Sequence, residues 1–164
     1  TRTRRQRQMC IRDSPERVSV AIGGGIGGLL PVPADKINGI DAIYPIGTYD
    51  FEKITGKKFN LEEYKKTPQF YYQGTKDKSN PFRRGAEDLT DEEYEIVKKL
   101  FVDGLPFEDK PVSLKVNTAM WNNSQKYINQ IVDNVKFESP KNLNHEITPK
   151  MTSKSTEFIK ENLN

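Results

Sequence analysis

Cysteine, histidine and tryptophan each occur once in this 164-residue chain. The single cysteine, Cys10, excludes an intrachain disulfide and a cysteine-based zinc cluster. It lies in an Arg-rich head, away from the only histidine, so a Cys–His nucleophilic pair is not expected either. No apolar run approaches the ~20 residues that a membrane-spanning helix needs, and no basic start, apolar stretch and small-residue cleavage site mark a secretory signal. The hydrophobic share, 34%, is low for a globular protein, yet eight Phe and seven Tyr fall in clusters. That clustering argues for a folded domain with a real core.

Arginine is also scarce once the head is set aside. Residues 1–12 hold five of the eight arginines and no acid; the remainder holds 21 basic and 23 acidic residues, a net of −2. The body is therefore almost neutral and carries its positive charge on lysine. The head has no interleaved aromatics, so it does not read as a nucleic-acid arm, and neither a nucleic-acid nor a membrane partner is expected. The head, residues 1–14, looks like translated sequencing-adapter read-through and is expected to be loosely attached, with few contacts to the core. On that reading the authentic domain begins near Ser14, spans 15–164, and is a C-terminal half whose N-terminal half is missing.

The patterning predicts an α/β domain. Arg17–Ile22 alternates into an apolar run and reads as a strand entering the glycine-rich loop Gly23–Gly28. Gln69–Gln73 reads as a buried strand, and Asn134–Ser139 as a third. Residues 34–66 predict small helices over one sheet edge, like a cap or lid, with Asp50 capping one that ends at Gly56 and Asn60-x-x-Glu63 opening another. Thr90-x-x-Glu93 is a second capping box, before a helix that should bury Tyr94, Val97, Leu100 and Phe101. Val112, Leu114 and Val116 suggest a short extended piece, and Thr118–Asp133 an amphipathic helix. The last helix has Thr148 as N-cap and Pro149 at its first position, and should turn Met151, Phe158 and Ile159 to the core. Strand–helix–strand alternation of this kind implies a parallel sheet flanked by helices.

The chemistry is sparse. Gly23-x-Gly25-x-x-Gly28 matches the dinucleotide fingerprint, which requires a helix directly after it. Pro31 and Pro33 fall where that helix would run, so the bland reading, a close turn after a strand, is preferred to a nucleotide site. More informative are Asp77, in a Gly74-Thr-Lys-Asp turn past the second strand, and His145, in the loop past the third. An acid and an imidazole at the C-terminal ends of parallel strands form two-thirds of a hydrolytic triad. Their chain order, acid before base, is that of the α/β-hydrolases.

Three segments resemble that family in its bacterial esterase and lipase-like members. Pro15-Glu-Arg-Val-Ser-Val-Ala-Ile-Gly-Gly24 is similar to the entry into the sixth strand. Phe70-Tyr-Tyr-Gln-Gly-Thr-Lys-Asp77, with Asn80-Pro81, resembles the seventh strand and acid turn. His145-Glu-Ile-Thr-Pro149 resembles the base loop, with Asn144 where the family has glycine. The resemblance implies a partial α/β-hydrolase fold, three parallel strands corresponding to the sixth to eighth of the family sheet, with a small helical insertion after the first. It implies a small-molecule ester as substrate, no cofactor and no metal, Asp77 as triad acid and His145 as general base. Phe51, Phe59 and Tyr64 would line an acyl pocket. The Gly-x-Ser-x-Gly elbow and the oxyanion loop, which in the family lie upstream of the segment matching Pro15, are not in this chain, which alone is expected to be inactive. The alternatives are a noncatalytic α/β binding domain and a Rossmann-type nucleotide binder.

Overall fold

The structure is a computed structural model; it describes residues 11–12, 14–79, 90–107 and 112–163. Cys10, Asn80 and Pro81 lie outside the described residues, as do residues 1–9 and 13 of the head.

Three short strands form a parallel sheet in the order β1–β4–β5: β1 is Ala21–Gly24, β4 is Gln69–Tyr72 and β5 is Val135–Glu138. Ala21 and Val135 both pair with Gln69, so the three strands run level. The first strand starts later than its apolar run suggests, because Pro15–Arg17 forms a single 3-10 turn, with Val18 N–H bonding back to Pro15 O at 3.0 Å. Gly23 and Gly24, expected in the loop, belong to the strand. A separate hairpin pairs β2 (Lys36–Ile37) with β3 (Ile40–Asp41). Its turn is Asn38-Gly39 with φ of 51° and 79°, the left-handed pair that a two-residue hairpin needs.

Alternation along the central strand sorts the core into two layers. Phe70 and Tyr72 face one way and meet Met151 and Phe158 of helix α5 (Pro149–Asn162). Tyr71 faces the other way and stacks on Phe137, which meets Trp121 of helix α4 (Leu114–Asn129) edge-on. Phe101 at the end of helix α3 (Asp91–Phe101) packs edge-on against Tyr127 of α4 at 5.5 Å between ring centroids. The domain is thus mixed α/β, with helices on both faces of a three-stranded parallel sheet. Among the described residues no helix is long and apolar enough to cross a membrane.

Local signals placed several helices. Thr90 and Glu93 form a complete capping box at α3, and Asn60 and Thr148 accept from the N3 amides of α2 (Leu61–Lys66) and α5. The short helix α1 (Phe51–Thr55) ends at Gly56, but the Asp50 side chain does not cap it; its carboxylate accepts from Tyr44 N–H at 2.6 Å instead. Other expectations are corrected as well. Leu114 and Val116 are helical, because Ser113 caps α4 by accepting from Val116 N–H, so no extended piece precedes it. Tyr94 is only half-buried, and Ile96 takes a core place on α3. Ile159 on α5 is 38% exposed rather than buried. Ile11 and Arg12, in the head expected to stand clear of the core, are 7% and 3% exposed. Ile11 joins the main apolar cluster, while the Arg12 guanidinium donates to the carbonyls of Pro45 and Gly47 and lies over the Tyr44 ring.

Candidate functional site

All three strands deliver loops to the same edge. Gly25, just past β1, donates its N–H to Tyr72 O at the end of β4 (3.2 Å), which holds the glycine loop at the carboxyl end of the sheet. Past β4, Asp77 N–H closes a tight turn on Gly74 O at 3.0 Å. Past β5, the loop bearing His145 lies along that turn: Thr75 N–H reaches Pro140 O, Lys76 N–H reaches Leu143 O, and Asn142 N–H reaches the Thr75 hydroxyl, all at 2.9–3.0 Å. The two loops are stitched together backbone to backbone.

Gly74 permits that contact. A Cβ at position 74 would stand 2.2 Å from Leu143 O and 2.6 Å from Asn144 O, far inside van der Waals contact. The left-handed residue of the base loop is Asn142, with φ of 62°; asparagine tolerates that region. Asn144 is not among the residues with positive φ, so its lack of glycine character costs the loop nothing.

Asp77 and His145, 68 positions apart, meet at this edge with Nδ1 to Oδ2 at 3.1 Å. The Asp77 side chain is fully buried, and that of His145 is 28% exposed. One face of the imidazole lies over Gly25, where a Cβ would sit in ordinary contact with the ring at 3.4 Å; it is the φ of +59° that makes this a place for glycine. Among the described residues every hydrogen bond to the ring is at Nδ1, and Nε2 is left for another group.

Two further side chains complete the cluster. Ser79 accompanies Asp77 in an Asx turn: its N–H and its hydroxyl stand 2.8 and 2.7 Å from Asp77 Oδ1, and the hydroxyl also stands 2.6 Å from His145 Nδ1. Asn117, on α4 and wholly buried, donates through Nδ2 to the carbonyls of Asp77 (2.9 Å) and Ser79 (3.0 Å). The Asp-x-Ser spacing is an Asx-turn signal in sequence, but a bond from Ser79 to an imidazole 66 residues away has none. Asn117 looks in sequence like any polar position on an amphipathic helix.

Other proposed features do not gather here. No helix follows the glycine loop before Phe51, so the support a dinucleotide phosphate would need is not present. Phe51 and Phe59 pack edge-on, with Tyr44 and Tyr64 at either end of the row, and Phe51 is fully buried. This row is core. A cavity of about 290 Å³ runs along β1, lined by residues including Val18, Ile22, Leu30, Tyr64 and Tyr71, and neither Asp77 nor His145 lines it. Of the three aromatics expected to line an acyl pocket, only Tyr64 borders it. Among the described residues no three potential metal ligands come together.

No protein-family model, curated protein or solved structure matches the chain.

Proposed function

We propose that Asp77 and His145 are the acid and base of a serine-dependent hydrolase of carboxylic esters, on an α/β-hydrolase-type sheet in which β1, β4 and β5 stand as the sixth to eighth strands. The observation that carries the reading is the 3.1 Å contact of a buried carboxylate with the Nδ1 side of the chain's only imidazole, at the carboxyl edge of parallel strands. The acid follows the middle strand and the base the last, in the order the resemblance implies.

The chemistry follows from the geometry. Asp77 accepts from Nδ1–H, which leaves the Nε2 lone pair outward as the base. A serine hydroxyl delivered to Nε2 from outside the described residues loses its proton to the imidazole as its oxygen attacks the ester carbonyl. The imidazolium, held against the Asp77 carboxylate, then gives that proton to the departing alkoxide, which leaves as the alcohol. Water repeats both steps on the acyl-enzyme, releasing the acid and the free serine. Ser79 is on the wrong side of the ring for this role, since it shares Nδ1 with Asp77.

The test is p-nitrophenyl butyrate hydrolysis by a polypeptide that carries this domain together with the serine that the reading requires. His145→Ala should lower kcat by about 10³-fold or more and Asp77→Asn by about 10⁴-fold, and a fluorophosphonate should label a serine other than Ser79. Turnover indifferent to His145→Ala would reject the proposal. So would a folded, ligand-binding protein that hydrolyses no ester, which is what a noncatalytic binding domain would give.

A further inference from the structure

Asp77, Ser79 and His145 make a closed ring of three contacts: hydroxyl to Asp77 Oδ1 at 2.7 Å, hydroxyl to Nδ1 at 2.6 Å, and Nδ1 to Asp77 Oδ2 at 3.1 Å. A two-residue acid–base pair needs only the third. The ring of three imposes proton bookkeeping that the pair alone does not.

The ionised carboxylate is acceptor-only, the hydroxyl has one proton to give, and each imidazole nitrogen is donor or acceptor according to tautomer. The hydroxyl's best acceptor is the carboxylate, because a charge-assisted bond is the stronger choice. Once that proton points at Oδ1, the hydroxyl oxygen offers only lone pairs to Nδ1. Both neighbours of Nδ1, the Ser79 oxygen and Asp77 Oδ2, are then acceptors, and Nδ1 must carry a proton. Were the neutral ring protonated at Nε2 instead, the Nδ1 lone pair would face Oδ2, and Ser79 would have to turn its proton away from the carboxylate to relieve it. The Ser79 backbone is fixed beside the carboxylate, because its own N–H donates to Oδ1 at 2.8 Å and Asn117 holds its carbonyl from α4 at 3.0 Å, so the hydroxyl needs only one rotamer to bridge the pair.

We infer that Ser79 is a positioning residue of this site: its hydroxyl bridges Asp77 and His145 and locks the neutral imidazole as the Nδ1–H tautomer, leaving Nε2 as the base. The inference rests on reading His145 as a base acting through Nε2. It gives Ser79 no contact with substrate and no covalent step.

Because His145 is the only histidine, ¹⁵N-detected NMR of the 164-residue chain reads one imidazole without assignment. At a pH where that ring is neutral, the wild type should show a protonated Nδ1 and an unprotonated Nε2, with a downfield Nδ1 proton. In Ser79→Ala the share of the Nε2–H tautomer should rise roughly fivefold, the effect of one net hydrogen bond, and the Nδ1 proton should move upfield. Ser79→Thr, which keeps the hydroxyl, should restore both signals, separating the bridge from mere packing; amide spectra identify any variant that has not folded. A wild-type Nδ1–H tautomer unchanged in Ser79→Ala would overturn the bridge and leave the Asp77–His145 pair standing. A wild-type Nε2–H tautomer would overturn both. Fluorophosphonate labelling of Ser79 would overturn the positioning role in favour of a nucleophile.

Discussion

Among the described residues Asn117 is the side chain that ties the acid turn to the helical layer by hydrogen bonds, and its removal should be costly. Its Nδ2 donates to the carbonyls of Asp77 and Ser79 at 2.9 and 3.0 Å in a fully buried position. Asn117→Ala leaves both carbonyls without that donor, that of Asp77 in a buried place and that of Ser79 in a half-buried one, at about 1–3 kcal/mol each. Against this, Asn117 Oδ1 is itself buried with no partner among the described residues, and its loss recovers about 1 kcal/mol. The balance is a destabilisation of about 3 kcal/mol, or a fall in Tm of about 6–12 °C for a domain of this size. Asn117→Asp keeps the shape and replaces the donor by an acceptor aimed at two carbonyls, so it should cost at least as much at neutral pH. Thermal unfolding followed by circular dichroism measures both. An Asn117→Ala protein melting within about 2 °C of the wild type would show that the two carbonyls find other donors and that the clamp is not structural.

Gly74→Ala forces its Cβ into the Leu143 and Asn144 carbonyls; the two loops must part, at about 1–3 kcal/mol. The same NMR measurement should show the His145 Nδ1 proton moving upfield as the contact with Asp77 lengthens, and an unshifted signal would show that the loops part elsewhere. Tyr64 gives a pH dependence. Burial pushes its hydroxyl up to about 12, with the Arg12 charge opposing. A group whose folded pKa is raised stabilises fully below its unfolded value near 10 and loses that contribution as pH rises toward 12. Roughly 2–3 kcal/mol of stability should therefore disappear between about pH 10 and 12 on its account, and Tyr64→Phe should make that limb shallower in alkaline urea melts without abolishing it, since burial also raises the Tyr71, Tyr72 and Tyr127 hydroxyls. Finally, on the proposed reading the 164-residue chain, whose sequence carries no Gly-x-Ser-x-Gly elbow, should not turn over p-nitrophenyl esters at an enzymatic rate; turnover abolished by His145→Ala would place a nucleophile within these residues.

The elements whose signals are local were legible in the sequence. Thr90 and Glu93, Asn60 and Glu63, and Thr148 with Pro149 announce helix starts because a capping bond spans only three residues. The apolar runs near 21, 69 and 135 announce strands because short apolar runs bounded by breakers suit a sheet covered on both faces. Local signals also misled where two structures share one pattern. Val112, Leu114 and Val116 alternate like a strand, but the Ser113 cap decides for helix at Leu114. Ile159 fits an amphipathic period, yet α5 turns Met151 and Phe158 toward Phe70 and Tyr72 and leaves Ile159 at the exposed margin.

Composition and local pattern by themselves determined the class of this domain: helices around three short strands, with an acid and the only imidazole each placed past a strand end. Those properties follow from neighbours within a turn or two along the chain. The tertiary structure alone decided that the three strands lie level and parallel, so that Asp77 and His145 arrive at one edge 3.1 Å apart. It alone brought Ser79 to the same nitrogen, Asn117 beneath the acid turn, and Gly25 under the ring. These contacts join residues 38 to 120 positions apart. No local pattern encodes them, because they depend on how the packed layers set the loops against one another.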